Sequence, residues 1–272
     1  MRIYIPTKGR GPDLQLTYDR ILPAIIDTPF TMFLVCPEEE CGTLDHKYPT
    51  IGCPATRIGA TRQWIVDNST DDKVLMLDDD LLRWAVRRDP AVGKYSPANY
   101  ADITETLYRV EELLSSYAHV GVGARLFANI FGPEVINGRI TRAWGLRADI
   151  IRQHHLKFTC PVDDLEMTLQ LLRAGYANSV IYTTVQDQEM SQSPGGASTY
   201  RTLEYHNACH EQINRWHPQF TTLVEKNPQK GWFDGKPRKE VKISWRSLTN
   251  ACHPTTIQDR TGPVPAVTRN SP

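Results

Sequence analysis

The apolar run Lys73-Val74-Leu75-Met76-Leu77 ends in three consecutive carboxylates, Asp78, Asp79 and Asp80. Adjacent like charges repel unless water or a cation neutralises them, and Mg²⁺ or Mn²⁺ shared with phosphate oxygens is the usual hard partner of such groups. A departing diphosphate needs that cation. Taken alone, the segment also reads as a solvated acidic turn. A second acidic pair, Asp163-Asp164, precedes Leu165-Glu166-Met167-Thr168-Leu169. If the pair opens a helix, its carboxylates face the electropositive end, and Asp164 stays ionised near neutral pH, as a general base requires. Helix capping is the plainer role for the same two residues.

Residues 1 to about 190 alternate strand-like and helix-like segments, which predicts an α/β fold of Rossmann type: a mixed, mostly parallel sheet flanked by helices. In such sheets ligands sit beyond the carboxyl ends of the strands, where Asp78–Asp80 would lie if 73–77 is a strand. Periodicity alone leaves a helix open there. Arg2-Ile3-Tyr4-Ile5 reads as a strand stopping at Pro6-Thr7-Lys8-Gly9-Arg10. Leu14, Tyr18, Ile21 and Ile25 share a helical face, with Pro23 a kink or early end. A strand over 30–35 and a helix over 60–68 follow.

Leu107, Val110, Leu114 and Tyr117 repeat at helical spacing, with Asp102 and Glu105 in a capping-box relation. The stretch 120–130 reads as a strand broken by Gly121 and Gly123, and Asn137-Gly138 predicts a type I′ hairpin with 139–146 as its return arm. Leu165, Leu169 and Leu172 share a face of the next helix, which Gly175 stops. A strand over 179–185 leads to a polar, glycine-bearing stretch, 186–199, long enough for an active-site lid.

At 272 residues the chain suffices for one large domain, or one and an appendage. Its 40% apolar residues are ordinary for a globular protein, and the absence of an apolar run of about 20 residues or a secretory leader predicts a cytoplasmic protein with no membrane contact. Six cysteines without a C-x-x-C pair suggest free thiols. His206, Cys209, His210 and His217 match no standard zinc spacing. Residues 222–272 hold nine Lys or Arg against four Asp or Glu, a net +5 that leaves −5 for the rest. Interleaved with Trp232, Phe233 and Trp245, this basic tail suits contact with phosphates and bases, or equally a surface segment with core tryptophans.

Strand-Pro6-Thr7-x-x-Arg10, Ile58-Gly59-Ala60-x-Arg62-Gln63, Asp78-Asp79-Asp80, and the Asp163-Asp164 helix ending Leu171-Leu172-x-x-Gly175-Tyr176 occur in an order that resembles the GT-A glycosyltransferases. Ile3-Tyr4-Ile5-Pro6-Thr7-Lys8-Gly9-Arg10, with Arg62-Gln63-Trp64-Ile65 and Met76 to Leu81, is more narrowly similar to the TET-associated glycosyltransferases of bacteriophages. The resemblance implies that Pro6, Thr7 and Arg10 line a nucleotide pocket and Arg62 approaches the nucleotide or sugar. It places Asp78 on the ribose or sugar, Asp79 beside it, and Asp80 on the metal with Asp78. Asp164 becomes the base of an inverting enzyme, and Asp163 holds donor or acceptor hydroxyls. Where the family often has a metal-binding histidine this chain reads Gln186-Asp187-Gln188, which makes Asp187 the candidate third ligand. Arg201, after Gly195-Gly196, is placed to meet the leaving group.

The resulting expectation is a Mn²⁺- or Mg²⁺-dependent transferase moving a sugar from a UDP-sugar to a hydroxymethylated pyrimidine, 5-hydroxymethylcytosine, in phage DNA. Residues 1–200 would bind donor and catalyse, and the helical, basic extension 201–272 would contact the acceptor. A retaining enzyme, a polysaccharide or protein acceptor, a nucleotidyltransferase and a non-catalytic DNA-binding protein are the alternatives.

Overall fold

The computed structural model describes residues 1–89, 93–130, 132–158, 162–188, 195–228 and 233–260. Trp232, Lys230, Arg269, Cys160 and the middle of the expected lid, 189–194, lie outside the described residues. Strands β1 (Arg2–Pro6), β2 (Thr31–Pro37), β3 (Thr50–Cys53) and β4 (Lys73–Leu77) pair in parallel in the order β3-β2-β1-β4. Helices α1 (Leu16–Ile25), α2 (Glu38–Leu44) and α3 (Ile58–Asn68) connect them. α1 runs through Pro23 and ends two residues later. Val74 to Leu77 are each at most 1% exposed, because a central strand is buried on both faces and reads as a continuous apolar run. The segment is therefore a strand, and Asp78–Asp80 follow its carboxyl end.

Chain order and spatial order then diverge. After β5 (Leu81–Val86), β6 (Ser96–Pro97) and α4 (Tyr100–Leu113) comes β7 (His119–Ala124). Between β7 and β4 lies β9 (Ala143–Arg147), antiparallel to both, while β8 (Glu134–Ile136) pairs with β10 (Asn178–Gln188). β10 runs parallel to β7 and antiparallel to β5. The described residues thus form a ten-stranded mixed sheet in which β1–β4, β7 and β10 all point one way.

Three local expectations are corrected. Asn137 takes the left-handed turn conformation (φ 58°), but β8 and β9 are not hairpin partners: the Asn178 side chain brackets Gly138 and ties the turn to β10. β7 runs unbroken through Gly121 and Gly123. A 3₁₀ segment, Arg125–Ile130, begins only after it. The capping box of α4 is Asn99 with Asp102 rather than Asp102 with Glu105.

Helices α1 and α4 cover one face through Tyr18, Ile21, Ile103, Leu107 and Leu114. The other face is covered by α3, α5 (Ala148–Gln153) and α6 (Asp163–Arg173), through Ile65, Val66, Ile151, Met167 and Leu171. Beyond α6 lies a further layer of α7 (Leu203–Trp216), the hairpin β11 (Thr221–Lys226) with β12 (Arg238–Ile243), and α8 (Trp245–Cys252). It packs on α6 through Leu169, Leu172, Cys209, Ile213, Phe220 and Leu248. Among the described residues no helix is long and apolar enough to cross a membrane.

Candidate active site

The parallel strands end on one edge of the sheet, and there a cleft of about 650 Å³ opens. Pro6, Thr7, Arg10, Arg62, Asp78, Asp79, Asp80, Asp163, Asp164, Asp187 and Arg201 all line it, so the donor, metal and base candidates meet at one place. Arg62 makes the connection between the two acidic clusters. Its Nη1 donates to Asp163 Oδ1 at 2.8 Å, its Nη2 donates to Asp78 Oδ1, and its guanidinium lies 4.5 Å from the Trp144 ring centroid. Trp144 itself is fully buried, a platform for Arg62 rather than a surface for a ligand.

Arg10 does the same work for the other two acids. Its Nε lies 2.9 Å from Asp79 Oδ2 and its Nη2 3.3 Å from Asp80 Oδ2, while Thr7 Oγ1 donates to Asp79 at 2.8 Å. Thr17 anchors the loop from below, donating to the Asp78 carbonyl and accepting from the Leu81 amide. Burial pushes Asp79 up to about 6 against the pull of Arg10. Burial, with the negative charges of Asp78 and Asp79, pushes Asp80 up to about 7. Burial also pushes Asp163 up to about 6, with Arg62 opposing. These are carboxylates short of positive charge, the condition a divalent cation relieves.

Asp163 does not simply cap α6. It opens the helix and is 1% exposed, one oxygen held by Arg62 and the other without a hydrogen-bond partner among the described residues. Asp164, partly exposed, accepts the Leu165 amide through Oδ1 and faces the cleft. Asp187 closes the end of β10, with the Gln188 amide on its Oδ1. Among the described residues no three Asp, Glu, His or Cys side chains stand preassembled as a metal cage, so Asp78, Asp80 and Asp187 do not form a ready-made triad. The donor set instead fits a hard cation that takes one or two carboxylates and completes its shell with substrate phosphate and water.

The segment 195–201 already lies against the loop after β1. The Gly196 amide donates to the Lys8 carbonyl, and a Cβ on Gly195 would stand 2.8 Å from Arg10 Cγ. The Tyr200 hydroxyl accepts the Ile58 amide at the start of α3. The cleft also takes Arg139, Arg142, Tyr200 and Glu240, to which the sequence assigned no role, and His206 and His210, which it offered only as a zinc cluster of no standard spacing. The two histidines and Glu240 come from α7 and β12, whose approach to the aspartates no local pattern announces. The His206 and His210 rings lie tilted to each other with centroids 4.5 Å apart, and burial pushes them down to about 4 and about 3. In the basic tail Trp245 packs into the small core under α6, Arg238 pairs with Glu240 and Lys239 with Glu211.

A family model described as TET-Associated Glycosyltransferase matches residues 1–196. The chain belongs to that family. This TET-associated glycosyltransferase is 25% identical over 238 residues to the Beta-glucosyl-HMC-alpha-glucosyl-transferase of Enterobacteria phage T6, spanning 76% of this chain and 79% of the relative. The protein of the same name from Enterobacteria phage T2 is 25% identical over 248 residues, 78% and 83% of the two chains. Among solved structures it is similar to S. aureus TarS 1-349 in complex with UDP-GlcNAc (TM-score 0.50, 13% identity, 78% of this chain and 64% of that one). It is also similar to M. tuberculosis glucosyl-3-phosphoglycerate synthase in complex with Mn²⁺, UDP and phosphoglyceric acid (TM-score 0.50, 9% identity, 91% and 90%). The fold is that of the GT-A glycosyltransferases, and the enzyme is a glycosyltransferase.

Proposed function

We propose that this glycosyltransferase moves a sugar from a UDP-sugar to 5-hydroxymethylcytosine in DNA, in the cytoplasm of an infected bacterium. The phage relatives support the acceptor, since both are named for transfer to HMC that carries a glucose. One observation carries the chemistry: Arg62 bonds Asp78 and Asp163 at once, so the acids after β4 and the acids opening α6 face a single cleft. In this reading residues 1–200 bind donor and catalyse. The layer 201–272 contacts the acceptor, in keeping with His206, His210 and Glu240 in the wall of the same cleft.

Asp80, with Asp78 and Asp187 in the same cleft, would hold Mn²⁺ or Mg²⁺. When bound, that ion supplies positive charge to the diphosphate as it leaves. Pro6, Thr7 and Arg10 shape the nucleotide pocket, Asp79 fixes Thr7 and Arg10, and Arg201 adds charge on the leaving group. Asp164 accepts the proton of the acceptor hydroxyl as the new glycosidic bond forms, which inverts the anomeric centre. Asp163 acts through Arg62 to orient the start of α6.

Asp164→Asn is expected to abolish transfer and leave UDP-sugar binding intact, by calorimetry and by mass spectrometry of nucleosides from treated DNA. Transfer at the normal rate would remove Asp164 from its role. The substrate panel pairs UDP-sugars with plain, hydroxymethylated and β-glucosyl-hydroxymethylated DNA, and with oligosaccharide and protein acceptors. A second reading, retention, is favoured by the relatives' names: an alpha-glucosyl product made from an α-linked sugar nucleotide keeps its configuration. The anomeric coupling of the product sugar in NMR decides between the two.

A further inference from the structure

The positive charges of the cleft are not equally available to a ligand. Arg10 and Arg62 are 7% and 4% exposed, and each already serves two carboxylates, Arg10 with Asp79 and Asp80, Arg62 with Asp78 and Asp163. Turning either toward a phosphate would leave buried carboxylates without a partner, which is strongly unfavourable. Two of the residues that look like anion binders in the sequence, Arg10 and Arg62, are thus committed within the protein.

Arg142 is not. Its guanidinium makes no hydrogen bond or ion pair among the described residues, it is only half-buried, and it lines the cleft. Its backbone sits at φ 67°, a left-handed conformation in which glycine or asparagine is at ease and arginine is strained. The conformation has a positional effect. The Arg142 carbonyl accepts the Asp78 amide at 2.8 Å, extending the β4–β9 pairing one step beyond Leu77 and Ala143. Arg142 is thereby set directly across from the first of the three aspartates, and both Asp78 and Asp80 feel its charge. A strained residue with an uncommitted cation at the mouth of an acidic cleft is accounted for by a ligand that brings negative charge of its own.

We propose that Arg142, alongside Arg201, meets the diphosphate of the nucleotide donor and holds it as the sugar departs. The assignment rests on the reading of the cleft as a sugar-nucleotide site. It adds to that reading a specific phosphate contact, one that recognises the diphosphate whichever base it carries.

The test uses the full chain with Arg142→Gly, which relieves the backbone while removing the cation, and Arg142→Lys, which keeps a charge without the planar fork. UDP, GDP, ADP and inorganic pyrophosphate are titrated calorimetrically, with Mn²⁺ and again with EDTA, and uridine is followed by ligand-observed NMR. Arg142→Gly is expected to weaken diphosphate binding about 10- to 100-fold, the worth of a charge-assisted hydrogen bond, with uridine unaffected and Arg142→Lys in between. Undiminished diphosphate binding would overturn the proposal. Equal losses for uridine and UDP, the sign of a collapsed pocket, would overturn it as well, as would a wild-type protein that takes up no diphosphate at all. Arg142-dependent diphosphate binding in a protein that transfers no sugar would support the contact and count against the function proposed above.

Discussion

Arg62 lies at the centre of the site's stability as well as its geometry. Its removal leaves Asp78 and Asp163 facing each other's charge in a cleft that burial already makes hostile to carboxylates. Arg62→Ala is expected to cost about 3–5 kcal/mol of folding stability, the usual consequence of stranding a buried charge, read from urea unfolding at pH 8. Asp163 takes up a proton more readily than an ordinary carboxylate, so acidification neutralises the stranded charge and the penalty should shrink at pH 5. A loss under about 1 kcal/mol at pH 8, or one that grows on acidification, would show that Arg62 does not carry this charge. The aspartates after β4 and at the start of α6, with Arg10 and Arg62, were legible in the sequence as site residues. The pairing of Arg62 with Asp163 was not, because 101 residues separate the two and nothing local reports which cation a carboxylate will find. Arg10 and Arg62 consequently read as ligand contacts when they are first of all the counter-ions of the aspartates.

At the level of elements, the alternation of strands and helices was readable because each helix and parallel strand carries its own apolar period. The order of strands was not, since β9 inserts between β4 and β7 by long-range pairing alone. Glycines illustrate the difference. Gly121 and Gly123 read as breaks in a strand, yet both lie inside β7 facing the core. A Cβ on Gly123 would come within 2.4 Å of the Tyr182 ring and 3.0 Å of the Ile181 carbonyl. Gly123 lets β10, which shifts register between Ile181 and Val185, lie close to β7, and Gly121 makes room for Ile140. Tyr182 is 3% exposed and has no room to withdraw. Gly123→Ala should therefore destabilise the fold by about 1–3 kcal/mol, the range for overpacking a tight core, seen as a lower thermal midpoint. Unchanged stability would mean that the β7–β10 contact is looser than these distances state.

For the whole molecule, the question is whether the family's boundary is also a physical one. The family match ends at residue 196, but α6, which carries Asp163 and Asp164 at its first turn, is covered on its outer side by α7 and α8. Leu169 and Leu172 are fully buried only because Cys209, Ile213, Phe220 and Leu248 lie over them. Cutting the chain after residue 200 bares both leucines, a loss of about 3–6 kcal/mol at the usual 1.5–3 per buried aliphatic side chain, and removes His206, His210 and Glu240 from the cleft wall. The fragment 1–200 is expected to bind a hydrophobic dye, to melt at lower temperature and with less cooperativity than the full chain, and to transfer no sugar. Dye fluorescence and calorimetric melts of the two proteins side by side are the measurement. A fragment that melted sharply at the full-length temperature without dye binding would show that the outer layer contributes nothing to holding α6, and that the acidic pair at its start is positioned by the sheet and Arg62 alone.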